Sequence, residues 1–356
     1  MYQLSLRFQW PTLQFGTWDL ESANTRIFRH GTASAVPQLF QMTPSALIPR
    51  KPKALTKGSK IAVFAPASPA DHQEILTGIA ELRRLGFEFS PAPMSTPEGY
   101  FAGSLQTRLE GFLSALRDGA IRGLVATRGG YGASYLLGSD FSAELKEPKC
   151  IIGFSDLTSL QIYLWQKAAW VTFHGPMAAA GFNHGADDAH GYDEYSFLQA
   201  VSNTDTGWSV PLRAQSLVRG EAEGPLLGGC LTILQTSLGT PWELDSAGAI
   251  LVLEDRGMKP YQVDRALLHL MQAGKFSGVK AIVLGEFPDA DAPSPGSPTT
   301  RDVCARILSP LGIPVIFGAP VGHSKRPMLT LPLGIRARLR AQGEGTLEFL
   351  EPAVVP

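Results

Sequence analysis

The chain is poor in everything that marks a secreted, membrane-spanning or nucleic-acid-binding protein. Its three cysteines, Cys150, Cys230 and Cys304, stand far apart in 356 residues, each within or beside an apolar or glycine-rich stretch. Their odd number and wide spacing exclude a disulfide framework and a zinc pattern, so they read as reduced, buried thiols of a cytoplasmic protein. Lysine and arginine total 31 against 32 aspartates and glutamates, a net charge of -1. Without a basic stripe, neither nucleic acid nor an anionic membrane is an expected partner. No apolar run is long enough to span a bilayer. Residues 1–57 lack the continuous hydrophobic core of a signal peptide, and Pro37, Pro44, Pro49 and Pro52 interrupt any long element there. They read as a poorly ordered N-terminal extension with no assigned role. There is no internal repeat. His184 and His190 flank Asp187 and Asp188, but in a glycine-rich loop without helical i, i+4 placement, so no metal is expected. Gly129-Gly130-Tyr131-Gly132 lacks the spacing of a dinucleotide-binding turn and its downstream acid, so no cofactor is expected either.

What the sequence does contain is alternation. Lys60 to Phe64 reads as a buried strand, followed by a helix with Ile75, Ile79 and Leu82 on one face. Phe87 to Phe89 suggests a short strand, and Leu109, Phe112, Leu113 and Leu116 mark a second amphipathic helix. Ile121 to Thr127 is a third strand running into Arg128-Gly129-Gly130-Tyr131-Gly132-Ala133-Ser134. The fold class is therefore α/β, with a doubly wound, mostly parallel sheet over residues 58–185 and sites at the carboxyl ends of its strands. Residues 186–222 are polar and turn-rich and read as an inter-domain connection. A smaller C-terminal α/β domain is expected over 223–356. It has a helix at 231–238, a strand at 249–253, and a helix with Val263, Ala266, Leu267, Leu270 and Met271 on one face. Strands at 280–284, 314–317 and 346–349 complete it, with a solvated loop from Asp289 to Thr300.

The rest is organised around Lys149 to Thr158, where an apolar run ends in Gly153-Phe154-Ser155-Asp156 and turns into a helical pattern carried by Leu157, Leu160, Leu164 and Trp165. Asp156 or Ser155 is a natural N-cap for that helix. A serine on a sharp strand-to-helix corner has its hydroxyl clear of the sheet, and the next amide points where an oxyanion would sit. That is a nucleophile elbow, although Leu157 occupies the position of the hydrolase pattern's second glycine, and a helix-capping serine fits the same residues. A serine nucleophile needs a base, and the base an orienting group. Of seven histidines, His30, His72 and His269 read as surface residues. His174 follows a short strand and either lines the site or is a hydrogen-bonded structural residue. His323 leaves the apolar run 314–321 at Gly322, and Glu254 ends the buried run 250–253, where a carboxylate is costly unless paired. Ser155, Glu254 and His323 form a candidate Ser/Glu/His triad.

Several stretches resemble the LD-carboxypeptidase family, the murein tetrapeptide carboxypeptidases that include the microcin C immunity peptidases. They are Ala62 to Ser68, Phe101-Ala102-Gly103, Arg128 to Ser134, Gly153 to Asp156, His174-Gly175-Pro176-Met177, Gly228-Gly229, Gly239 to Trp242, Leu251 to Asp255, Leu284 to Phe287 and Gly322-His323. In order and spacing they run from about Gly58 to Pro352. The resemblance implies that Ser155 is the nucleophile, Glu254 and His323 its triad partners, and the backbone amides of Gly130 and Asp156 the oxyanion hole. It implies hydrolysis of an L,D-peptide bond with release of terminal D-alanine from murein tetrapeptides, in cell-wall recycling, by a homodimer. Arg128 and Glu286 would read the substrate's carboxylate and amine, or else be salt-bridged strand-end residues. Within the family, an immunity-type peptidase would cleave aminoacyl-nucleotide conjugates. That branch carries an asparagine where Gly132 stands and stacks a loop aromatic on the base, for which Trp208 and Trp242 are candidates. The glycine-rich loop of this chain favours the murein enzyme. A non-catalytic binding protein on the same scaffold is the alternative of another class, and it predicts that Ser155→Ala leaves function intact.

Overall fold

The computed structural model describes residues 47–90, 96–205, 207–290 and 294–356. The readings made for residues 1–46, His30 included, lie outside the described residues. The final part of the expected extension does not behave as a loose tail. Arg50 bridges to Trp170 and Lys53 to Val355, and Leu55 is fully buried with its amide donating to Val201 O at 2.8 Å. Pro49 and Pro52 favour extended backbone here and shape a strap instead of breaking an element.

The elements in chain order are β1 (Lys60–Phe64), α1 (His72–Arg84), β2 (Glu88–Phe89), α2 (Leu105–Arg117), β3 (Ile121–Ala126), α3 (Ala133–Leu136), β4 (Cys150–Gly153), α4 (Thr158–Ala168) and β5 (Thr172–His174). They continue as α5 (Glu194–Ser202), β6 (Trp208–Pro211), β7 (Gln215–Val218), β8 (Gly220–Cys230), α6 (Leu231–Thr236), β9 (Ile250–Glu254), α7 (Pro260–Gln272), β10 (Ala281–Gly285), α8 (Thr300–Leu308), β11 (Val315–Ala319), β12 (Leu331–Leu333), β13 (Arg336–Ala341) and β14 (Thr346–Phe349).

The first sheet has the order β12-β5-β4-β3-β1-β2. All its pairings are parallel except that of β12, which returns from late in the chain to lie antiparallel to β5. The second sheet has the order β6-β14-β13-β8-β9-β10-β11-β7, with β8 to β11 parallel and the flanking strands antiparallel. The chain is thus α/β, with one mostly parallel sheet and one mixed sheet whose four strands β8 to β11 are parallel. The second sheet has eight strands against six in the first, so the larger sheet lies in the C-terminal half, not the smaller. Central β9 and β10 are buried along their whole length, as near-continuous apolar runs in covered parallel sheets should be.

Two features differ from the sequence expectation for physical reasons. Residues 186–222 are not a featureless connection, because α5 buries Phe197, Ala200 and Val201, and β6 and β7 join the second sheet. These strands are only four residues long and set among polar, turn-forming residues, which reads as loop in a single sequence. Strand β13 alternates Arg336, Arg338 and Arg340 with buried Ala337, Leu339 and Ala341, and the arginines pair with Glu221, Glu223 and Glu348 on neighbouring strands. Its period of two is the signal of a strand with one face in the core. Among the described residues no helix is long and apolar enough to cross a membrane.

Candidate active site

Ser155 directly follows Phe154 at the exit of β4 and has φ 62, the left-handed region that L-residues other than glycine rarely occupy. Holding serine there costs about 1–2 kcal/mol, which is how a nucleophile elbow presents its hydroxyl above the sheet. A short 3-10 turn, Ser155–Leu157, then leads into α4. Neither Ser155 nor Asp156 caps that helix with its side chain, contrary to the expected N-cap. The left-handed turn instead sends the Asp156 carboxylate across to the glycine-rich loop, where it accepts the Ala133 amide at 2.7 Å. Burial pushes the Asp156 carboxyl above its ordinary value, against the pull of the Ala133 and Gly132 amides and Arg108.

The glycine-rich loop lies against Ser155. A side chain at Gly129 would place its Cβ 2.8 Å from Ser155 Oγ and 3.4 Å from the Asp156 amide, so only glycine fits. The Tyr131 amide donates to Ser68 Oγ at 3.1 Å, whereas the Gly130 amide donates to no other group among the described residues. Arg108 clamps the loop from beneath. Its buried guanidinium donates to Pro66 O at 2.6 Å, Gly132 O at 2.7 Å and Gly103 O at 3.2 Å, and lies over the Phe101 ring. Sequence reading missed Arg108. Its signal was position: 108, 112 and 116 fall at i, i+4 and i+8 on the stripe carrying Phe112 and Leu116.

Glu254 ends the fully buried β9 and is itself 0% exposed. Its Oε2 accepts both His323 Nδ1–H at 2.8 Å and the His323 backbone amide at 2.9 Å, so one oxygen fixes ring and backbone together. Gly322 makes this possible. It has φ 60, and a Cβ there would lie 2.6 Å from Glu254 Cγ and closer still to its carboxylate. The Phe154 ring meets His323 edge-on with centroids 4.9 Å apart. Burial pushes the Glu254 carboxyl up, but the His323 imidazole and its two N–H groups, with His174 behind, outweigh this and hold the carboxyl below its ordinary value.

Ser155 and His323 border one cavity of about 780 Å³, together with Gly129, Gly130 and Asp156. Among the described residues the Ser155 hydroxyl has no hydrogen-bond partner, so Ser155 and the His323 imidazole share a cleft without being bonded to each other. Long nucleophile–base separations are common in unliganded hydrolases. The sheets are tied at this point. Thr158 Oγ1, on the first turn of α4, accepts the Cys230 amide from the end of β8 at 3.1 Å. Cys230 and its neighbour Thr232 also border the cavity, held by the buried Asp255, which accepts the Thr232 amide and hydroxyl at 2.8 and 2.7 Å.

The remaining expected residues divide. Arg128 is exposed on the cavity wall, its guanidinium 3.4 Å from Pro69 O. Glu286 is not on that wall. It accepts from Ser324 Oγ at 2.8 Å, the Lys325 amide at 2.6 Å and the Arg326 guanidinium, anchoring the turn just after His323. His174 is fully buried behind Glu254, its Nε2 3.6 Å from Glu254 Oε1. His184 and His190, read from sequence as loop residues, do border the cavity, their ring centroids 5.8 Å apart. Trp208 packs on Phe349 with ring centroids 4.3 Å apart and Trp242 lies partly buried against the core, and neither borders the cavity.

Comparison with known proteins identifies the family. Residues 61–175 match the LD-carboxypeptidase N-terminal domain and residues 223–339 the LD-carboxypeptidase C-terminal domain. A probable murein peptide carboxypeptidase of Bacillus subtilis (strain 168) is 34% identical over 293 residues, 81% of this chain and 91% of the relative. The microcin C7 self-immunity protein MccF of Escherichia coli is 27% identical over 314 residues, 79% of this chain and 90% of the relative. The crystal structure of a muramoyltetrapeptide carboxypeptidase from Oxalobacter formigenes superimposes with TM-score 0.73 at 30% identity, covering 82% of this chain and 99% of that one. The chain belongs to the LD-carboxypeptidase family of serine-type carboxypeptidases.

Proposed function

We propose that the protein hydrolyses the L,D-peptide bond of murein tetrapeptides and releases terminal D-alanine through an acyl-enzyme on Ser155. The observation that carries this reading is the doubly anchored imidazole. Glu254 Oε2 holds His323 by ring and backbone at 2.8 and 2.9 Å, on the wall of the cavity onto which the strained Ser155 also opens. With Nδ1–H committed to Glu254, the Nε2 lone pair of uncharged His323 is the group free to take the Ser155 proton. The alkoxide attacks the scissile carbonyl as that proton moves to Nε2. The Gly130 and Asp156 amides receive the developing oxyanion, each worth roughly 3 kcal/mol in comparable enzymes. The imidazolium, stabilised by Glu254, returns its proton to the leaving D-amino acid. Water then repeats the sequence on the acyl-enzyme and frees Ser155.

Arg128, which shares that wall with the cationic Arg256 and Lys325, adjoins the glycine-rich loop and suits the terminal carboxylate of the substrate. A second reading, cleavage of an aminoacyl-nucleotide conjugate, draws on the 27% identity to the self-immunity protein and uses the same three residues. The test offers purified protein a murein tetrapeptide and, separately, an aminoacyl sulfamoyl adenosine, with D-alanine and free nucleoside as readouts. Wild type is expected to release D-alanine and Ser155→Ala essentially none. Release by Ser155→Ala at a rate comparable to wild type would reject the nucleophile, and nucleoside release alone would select the second reading.

A further inference from the structure

His174 is a buried titratable group beside the triad that this chemistry leaves unused. It ends β5 and is locked on both sides of the strand, opposite Gly153 on β4 and Leu331 on β12. The Phe154 ring flanks it with centroids 6.1 Å apart. The side chain is 0% exposed, and neither ring nitrogen has a hydrogen-bond partner. Glu254 Oε1, 3.6 Å from Nε2, is also buried and without one. Two polar groups that face each other dry and unpaired each carry a desolvation cost, and a shift of a few tenths of an ångström joins them in one hydrogen bond that removes both.

We propose that His174 is a positioning residue for this hydrolysis, donating its Nε2–H to Glu254 Oε1 so that one carboxylate is gripped by two imidazoles. His323 holds Oε2 and His174 holds Oε1, which leaves the carboxylate no freedom to rotate away from the base. The titratable groups facing His174 are Glu254 on β9 and, beyond it, His323; Glu254 in turn faces Cys230 at the end of β8 and the adjoining Asp255. Burial pushes the His174 imidazole down, His323 adds to this, and Glu254 opposes it, so His174 stays uncharged at neutral pH and acts as a donor, not as a counter-ion. The role rests on the proposed triad, but it assigns a residue that does not border the substrate cavity.

The test compares three variants of the full chain. Glutamine places an amide nitrogen at about the reach of histidine Nε2, asparagine stops short at the reach of Nδ1, and leucine donates nothing. His174→Leu and His174→Asn are expected to lower kcat for D-alanine release about 30-fold or more with KM within about threefold, and His174→Gln to recover at least tenfold over His174→Leu. A second readout needs neither substrate nor the leucine variant to fold. In the 15N-histidine-labelled wild-type protein, the resonance lost in His174→Gln should report the Nε2–H tautomer, unchanged between pH 6 and 8. An Nδ1–H tautomer, an imidazolium titrating in that range, or a His174→Leu enzyme with wild-type kcat would each overturn the proposal. An inactive wild type that still shows the Nε2–H tautomer would remove the murein substrate while leaving the two-imidazole grip in place.

Discussion

Replacing Glu254 by glutamine removes one formal charge and no atom that packs. The amide oxygen can stand where Oε2 stands and accept both His323 N–H groups, now at 2.8 and 2.9 Å, while the amide nitrogen takes the place of Oε1. The geometry at His323 survives and the charge does not, while the proposed His174 donor loses its acceptor at Oε1. A general base is uncharged before it accepts a proton, so the loss is felt little in the ground state and fully once His323 becomes an imidazolium. Two unit charges about 4 Å apart attract by about 4 kcal/mol at an effective dielectric of about 20. At about 1.4 kcal/mol per factor of ten, kcat is expected to fall about 10³-fold with KM nearly unchanged. Steady-state release of D-alanine from a murein tetrapeptide measures both. A loss of less than tenfold, or one confined to KM, would refute the role given to the carboxylate.

The same variant carries a pH signature whose sign follows from the lowered carboxyl. Because Glu254 binds its proton less tightly folded than unfolded, its contribution to stability is complete above about pH 4.5 and is lost as the pH falls through the lower folded value. Glutamine does not titrate. The excess unfolding temperature of wild type over Glu254→Gln should therefore be larger at pH 7 than at pH 3. An excess that grows on acidification would mean that the folded carboxyl binds its proton more tightly than the unfolded one, contrary to this reading.

Three further substitutions separate position from chemistry. Gly322→Ala puts a Cβ against the Glu254 carboxylate at a backbone angle of +60°, and should cost at least 10²-fold in kcat and about 2 kcal/mol of stability by denaturant unfolding, although no reacting atom is removed. Glu286→Ala frees the Ser324–Arg326 turn and should lower kcat about tenfold with little change in KM; a rise in KM alone would restore Glu286 as a reader of the substrate amine. Ser155→Gly relieves the left-handed strain that Ser155→Ala retains, so of these two inactive variants the glycine form should be more stable by about 1 kcal/mol in urea unfolding.

The three candidate residues could be read from sequence because each ends an apolar run at a turn that only special backbone can make: Ser155 beyond β4, Glu254 closing β9, His323 after Gly322. A buried strand leaves few explanations for a charged or nucleophilic residue at its tip. The same logic fails for residues whose role is defined by a partner far along the chain. Arg108 is ordinary on a helix until its guanidinium is seen between Pro66 and Gly132, and Glu286 looks like another strand-end carboxylate until it is seen holding the Ser324–Arg326 turn. His174 has a strand-end position as good as that of Glu254, yet it faces inward. Only the pairing of β12 with β5, across more than 150 residues of sequence, closes the sheet over that side.

Convergence itself depends on a contact that no local pattern announces. Ser155 belongs to one sheet, Glu254 and His323 to the other, and nothing in either run of sequence determines the distance between them. Thr158 supplies that link, because its hydroxyl, three residues beyond the nucleophile, accepts the amide of Cys230 at the end of β8, the strand that pairs along β9 as far as Cys230 opposite Glu254. A Cβ on Gly229 would run into that same threonine side chain, at 2.7 Å from its methyl group. The glycine is therefore what allows the helix behind the elbow to close on the strand beside the acid. Ser155 is thus positioned twice, by the left-handed turn that lifts its hydroxyl and by the close packing of the helix behind it on the strand that pairs with β9.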